Sequence, residues 1–348
     1  MNKNKKILYL VLTLTVIAVL LIFQNRKGTL SEKGQFAIED TTSVTRIFLA
    51  DKRDNTVSLK KESDGEWTLN ETLKTRKEAV NILLKTMNGL AVKAPVSKTS
   101  YNNVITRLAA NSVKVEVYQM VYRINLWGYM KLFPHEKCTK IYYVGHPTPD
   151  NMGTFMMIEG SDTPFVVYLP GLRGYVSARY SAISGDWRDH TIFKTPPDKL
   201  KFIKLEFPQE PEQSFLLEKE GSSVIKITQS ATGKVLDRFD TARVVEFVNA
   251  YKFIAFESPL EAMEPKVVDS VTRSLPLHII TVGDVNGKVK SIKTFRRPNH
   301  DKAEDLDGNL YPWDVNRLYA LIDGGRELVL VQYFVFDEIT RPLSYFMQ

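Results

Sequence analysis

The chain has five histidines and one cysteine, Cys138. Zinc binding and thiol or imidazole catalysis draw on those side chains, so their spacing comes first. His135 opens HEKCT, a near miss to the zinc-protease HExxH. Position 139 is Thr, so the second imidazole, one helical turn on, is missing. His135, Glu136 and Cys138 crowd within four residues of a loop-like stretch, poor spacing for a metal cage. Cys138 has only His135 near it as a base. His146 lies in GHPTPDN, where two prolines mark a rigid turn. His190 follows an Asp-Arg-Asp run, and His300 sits in the polar loop PNHDKAEDLDGN. His278 falls in an alternating apolar run and reads as a satisfied core or edge residue.

That polar loop imitates part of a calcium site. Asp305 and Asp307 take positions 3 and 5 of the twelve-residue pattern, Gly308 takes 6 and Asp314 takes 12. Position 1 is Ala303, and the closing ligand is Asp rather than Glu. An Asp-Gly turn with solvated carboxylates is the simpler reading. The chain has no GxSxG elbow and no GxGxxG. The stretch Gly283 to Lys288 is one residue short of a P-loop and lacks the following Ser or Thr. Asn286-Gly287 reads instead as a hairpin turn. The expectation is a non-enzymatic protein with no catalytic residue, no metal and no cofactor.

Composition narrows the class. Apolar residues make up 43% and charged residues 25% of the 348 positions, which excludes disorder and collagen as whole-chain descriptions. A lone cysteine excludes a disulfide framework and a four-cysteine zinc site. The net charge of +7 hints at a polyanion partner, but its distribution argues otherwise. Lys3, Lys5, Lys6, Arg26, Lys27 and Lys33 stand against Glu32 alone in the first 35 residues. Five of the seven units therefore sit there, and the remainder is near neutral with interspersed signs. A nucleic-acid face needs a concentrated positive field, so nucleic acid is not an expected partner.

Between those basic clusters lies ILYLVLTLTVIAVLLIF, Ile7–Phe23, 17 residues without a charge. As a helix it spans about 26 Å, the short end of what crosses a bilayer. No small-residue cleavage site follows it, and no cysteine that would mark a lipoprotein. The expectation is an uncleaved signal anchor with residues 1–6 as a cytoplasmic tail, 7–23 in the inner membrane and 24–35 as a linker. The soluble body would then lie in the periplasm.

A weak internal repeat organises the body at an offset of about 155–167 residues. SVTRIFLAD pairs with KLKFIKLEF, TVSLKKE with SFLLEKE, and EWTL with VIKIT. A helix follows in each half: Val80, Leu83, Leu84 and Met87 in one, Val244, Phe247, Val248 and Tyr251 in the other. Both sets lie at i, i+3, i+4, i+7, one helical face. Thr75, in a capping box with Glu78, and Asp240 are the candidate N-caps. Shorter helices follow at 101–110 and 264–274, matching Val104 and Leu108 with Val271 and Leu275. Strands 113–118 and 277–282 come next, and each half closes on a hairpin, 153–169 and 317–333. The expected fold is α+β: two tandem repeats, 36–184 and 185–348, each an antiparallel sheet with helices on one face. In the join SGDWRDHTIF, Trp187 and Phe193 would pack and Arg188 could pair with Asp186 or Asp189, making the join a structural knot between the repeats. The first half carries an aromatic insertion, roughly 119–139. It reads either as a hairpin packing on its own core or as an exposed contact surface. Tyr122, Trp127, Tyr129 and Phe133 are its candidate partner contacts.

The FAIEDTTSVTRIFLADKRDNTVSLKKE start, the EWTL strand, the helix 76–90 and the mid-chain DWRDHTIF resemble the domain-of-unknown-function family numbered 4340, over most of residues 36–340. The resemblance implies a bacterial envelope protein with one N-terminal membrane helix and repeated α+β modules. Some relatives accompany ABC-type transporter systems. No catalytic residue carries over. The leading expectation is therefore a membrane-anchored periplasmic accessory or scaffold protein, partnered with envelope proteins such as an ABC-type transporter or a secretion complex. A binding module holding glycan, peptide or lipid in a cleft between the repeats is the second reading, and a metal-assisted envelope enzyme the third.

Overall fold

The computed structural model describes residues 11–16, 36–126, 130–221, 224–260 and 263–347. Apart from 11–16, which are helical, the expected tail, membrane segment and linker lie outside the described residues. Among those described, no helix is long and apolar enough to cross a membrane. The chain divides into two compact units, Met1–Asp189 and His190–Gln348, and the fold is α+β with antiparallel sheets and few helices.

In the first unit the order is β1 (Val44–Ala50), β2 (Thr56–Lys61), β3 (Trp67–Leu69), β4 (Leu73–Lys74), α1 (Lys77–Gly89), β5 (Ala91–Pro95), α2 (Lys98–Asn111), β6 (Val113–Leu126), β7 (Met130–Pro147), β8 (Thr154–Ile158) and β9 (Phe165–Tyr168). These strands form one sheet in the order β4-β3-β2-β1-β6-β7-β8-β9-β5. Alternation along β1 buries Val44, Ile47 and Leu49, and α1 lays Val80, Leu83 and Met87 on the same core. At roughly 1.5–3 kcal/mol for each large apolar side chain fully buried, that layer carries the unit's stability.

The second unit opens with β10 (Thr191–Phe193), β11 (Leu200–Glu206), β12 (Phe215–Glu220), β13 (Val224–Gln229), α3 (Thr241–Ala250), β14 (Ile254–Ala255) and β15 (Ser258–Pro259). It continues through α4 (Pro265–Arg273), β16 (His278–Asp284), β17 (Val289–Pro298), β18 (Trp313–Ile322) and β19 (Glu327–Gln332). Its sheet runs β13-β12-β11-β16-β17-β18-β19-β15. Strand for strand this is the order of the first sheet without the β4 edge. The helices also fall at the same points between strands.

The helices do not share one face, which corrects the expectation above. In the first unit α1 covers the main core, while Val104 and Leu108 of α2 pack on Phe155, Met157 and Val166. Met156, Phe165 and Val167 belong to the main core. Successive strand residues point to opposite faces, so α2 lies behind the sheet. The second unit repeats this: α3 joins the main core, and Val268 and Val271 of α4 join Phe295, Tyr319 and Leu328 behind it. Far strands with apolar residues on both faces need cover on both sides. Leu275 is not a packing counterpart of Leu108; it lies past the end of α4 and is 61% exposed.

One further expectation is corrected. Thr75 caps nothing: its hydroxyl donates to Trp67 O (2.9 Å), and α1 starts after Arg76 with no side-chain cap. Asp240 does cap α3, accepting from Arg243 N at 3.1 Å. Trp187 and Phe193 are both buried, each in the core of its own unit. Trp187 belongs to the first unit's core and donates from Nε1 to Ser181 O, whereas Phe193 lies 5.7 Å from the Tyr251 ring in the second. The boundary thus falls between Asp189, whose N–H donates to Lys74 O, and His190, which stacks on Phe256.

Candidate interaction surface

One feature breaks the match between the sheets. The short turn Val285–Gly287 joins β16 to β17, with Gly287 at φ +83° and Asp284 Oδ1 accepting from Asn286 N and Lys288 N. The equivalent strands β6 and β7 run on for 14 and 18 residues and stay paired out to Leu126↔Met130. The aromatic insertion is therefore a two-stranded arm continuing the sheet, and its described residues join none of the hydrophobic cores. β-Branched and aromatic residues with period-two alternation favour this extended pairing.

The arm's base is fixed by polar contacts. Arg46 of β1 lies 3.7 Å from the Tyr118 ring centroid and 3.7 Å from Glu136 Oε2, and Thr45 Oγ1 donates to Glu136 Oε1 at 2.6 Å. Tyr118 Oη donates to Glu116 Oε2 at 2.7 Å. Partial burial pushes the Glu116 carboxyl up, but the bonds from Tyr118 and Lys114 outweigh it and hold it below its ordinary range. Tyr118 is raised in turn by that bond and by burial.

Beyond this base the register sorts the side chains by face. Tyr118, Met120, Tyr122 and Ile124 share a face with Cys138, Glu136, Pro134 and Leu132. Met120, Tyr122, Ile124 and Leu132 are 37–42% exposed, so an apolar strip looks outward. Gln119, Arg123, Lys131, His135 and Lys137 fall on register positions of the opposite face. Phe133 sits at φ +59°, a conformation uncommon for a bulky residue, and is 63% exposed. Of the four expected contacts, Tyr122 and Phe133 are thus exposed on the arm, while Trp127 and Tyr129 lie outside the described residues. Choosing aromatics alone missed Met120, Ile124 and Leu132. The alternation Met-Val-Tyr-Arg-Ile marks Met120 and Ile124 in the sequence, while Leu132 joins them only through its pairing with Ile124.

The metal and thiol readings do not assemble here. His135 takes the face opposite Glu136 and Cys138 by register. Burial, then the charge of Glu116, raises the Cys138 thiol above its ordinary value, the wrong direction for a nucleophile. Among the described residues no group of three His, Cys, Asp or Glu side chains could hold a metal ion. In the 301–314 loop, Asp305 Oδ1 accepts from Asp307 N and Asn309 N, closing its own turn. Asp314 is buried against Arg297 and accepts from Asn316 N and Arg317 N. Its carboxylate faces a guanidinium rather than the loop carboxylates, so the calcium pattern does not close.

The second unit also has surface clefts. One of about 450 Å³ is lined by Glu246, Phe247, Asn249, Glu338, Arg341 and Tyr345. Arg243 and Arg341 each lie 5.0 Å from the Tyr345 ring centroid. Another, of about 370 Å³, lies beside Arg317, whose guanidinium is bidentate on Glu257.

Two tandem sheets of one strand order, with an arm on the first, define an α+β protein. The family model described as domain of unknown function (DUF4340) matches residues 67–266, more than half of the chain, and the chain belongs to that family. The match starts in β3 and crosses the unit boundary into α4. No curated protein and no solved structure matches the chain.

Proposed function

We propose that this protein is a membrane-anchored accessory or scaffold protein of a bacterial envelope complex, acting without catalysis of its own. In this reading Ile7–Phe23 is a single-pass anchor in the inner membrane, and the two units stand in the periplasm. The partner is another envelope component, an ABC-type transporter or a secretion assembly. The observation that carries the reading is the arm: apolar side chains presented to solvent on a two-stranded extension, outside the hydrophobic cores, suit recognition. A tether supports it by raising the effective concentration of that arm beside the bilayer and its residents.

The test is topology followed by capture. Alkaline carbonate extraction is expected to leave the chain in the membrane, and protease added to spheroplasts is expected to reach both units. Crosslinking in native membranes is then expected to co-isolate a defined membrane complex, less efficiently when Met120, Tyr122 and Ile124 are changed to Thr. A chain released by carbonate, or one that crosslinks to no complex, overturns the reading.

A further inference from the structure

Between residues 119 and 139 the arm carries Arg123, Lys131 and Lys137 against Glu136 alone. All three cations are exposed, and Glu136 is already engaged by Arg46 and Thr45 at the base. The distal arm therefore combines an outward apolar strip with an excess of positive charge. Cations with long aliphatic stems on register positions of one face, with an exposed apolar strip on the other, match the layered chemistry of a bilayer surface, apolar below and anionic phosphate above. A protein partner would need an acidic rim of its own to satisfy the same cations. The chain carries a second segment of lipid chemistry, the uncharged Ile7–Phe23 between basic clusters.

We propose that the arm docks on an anionic lipid surface, with Met120, Tyr122, Ile124 and Leu132 facing the acyl boundary and Arg123, Lys131 and Lys137 binding headgroup phosphates. The inference deepens the tethering reading above and rests on the body standing beside a bilayer. It gives the first unit a membrane contact of its own, which the second unit's short β16–β17 turn lacks.

The test places a water-sensitive fluorophore at Ile124→Cys in the full chain, with the single native cysteine changed by Cys138→Ser. The protein is reconstituted with vesicles of equal parts phosphatidylglycerol and phosphatidylcholine, or of phosphatidylcholine alone, both with brominated acyl chains. Bromine quenching is expected on the mixed vesicles, weakening on pure phosphatidylcholine and at high salt. The combined Arg123→Gln, Lys131→Gln, Lys137→Gln variant is expected to lower the docked-to-undocked ratio roughly a hundredfold. These positions are exposed, so an unchanged circular dichroism melt keeps the result interpretable. A fluorophore equally wet with every vesicle overturns the proposal, as does quenching that appears only when a membrane protein is added. Carbonate extraction reads the anchor separately: release of the chain while position 124 is still quenched overturns the tether and leaves the docking standing.

Discussion

The two units share a strand order and differ in their connections. Where the first unit runs β6 and β7 on into an arm, the second closes with the Val285–Gly287 turn. Where the first joins β7 to β8 by the short Thr148–Gly153 turn, the second inserts the 299–312 loop between β17 and β18. That loop is acidic, with Asp301, Glu304, Asp305 and Asp307, and it exposes Leu306 and Leu310. The arm is basic and apolar. A sheet with a helix on each face fixes the core, so beyond the β4 edge the divergence falls in strand connections, where backbone can extend without disturbing packing. Shared strands therefore speak to stability, and unshared connections are where function should be sought.

The largest effects should come from breaking the shared part. Leu83 of α1 and Phe247 of α3 are both buried in the main cores, at 0% and 2% exposure. Leu83→Ala should cost about 2–5 kcal/mol and Phe247→Ala about 3–5 kcal/mol, since each leaves a cavity the sheet cannot fill. Hydrogen exchange checks this: protection should fall in residues 36–189 for the first variant and in 190–347 for the second. A loss spread evenly over the chain in both variants would undo the division into two cores.

A titration separates the units at the next scale down. His278 of β16 is buried, with Nδ1 2.9 Å from Thr294 Oγ1 and its ring edge-on to Phe207. Burial, helped by the charge of Arg296, depresses its pKa from 6.5 to about 4. The folded state therefore holds the neutral imidazole, while the unfolded chain takes up a proton below about 6.5. Stability is intact above that pH and drains away as pH falls from 6.5 to 4, by about 3 kcal/mol in all. The first unit's His146, beside Phe155, is only partly buried and is depressed in the same direction. Urea unfolding followed in each unit from pH 7 to pH 4 should show this loss in the second unit, and His278→Gln should flatten it. An unchanged slope in that variant would place the acid sensitivity elsewhere.

Much of this comparison was legible in the sequence, for definite reasons. The i, i+3, i+4, i+7 spacing of Val80 to Met87 and of Val244 to Tyr251 survives any tertiary context, because those faces must be buried. Alternation in SVTRIFLAD and KLKFIKLEF marked β1 and β11 for the same reason. The side on which each helix packs was not legible. Nothing local in Val104 and Leu108 says which face of a sheet they meet; that depends on Phe155 and Val166, which periodicity alone assigns equally well to either side. Thr75–Glu78 had capping-box spacing, but Thr75 found Trp67 O across the sheet edge instead. In the arm, aromatic composition marked the place and alternation marked Met120 and Ile124, while Leu132 joined the apolar strip only through the register of β6 on β7.

The smallest stability effect should come from making the first unit resemble the second. Gln119 and Lys137 are directly paired, so Met120–Glu136 can be replaced by Asn-Gly, a two-residue turn whose positive φ suits the twist of the flanking strands. The excised side chains Met120, Tyr122, Ile124, Leu132 and Phe133 are exposed, so little burial is lost. What does go is the Thr45 to Glu136 hydrogen bond and the Arg46 to Glu136 pair, a surface contact worth about 0–1 kcal/mol. Arg46 keeps the Tyr118 ring beneath it. Urea unfolding of the first unit should thus shift by no more than about 1 kcal/mol, with the slope in urea falling only slightly. A larger loss would mean that the arm braces the sheet. The arm would then be a structural difference between the units rather than a surface held out for recognition.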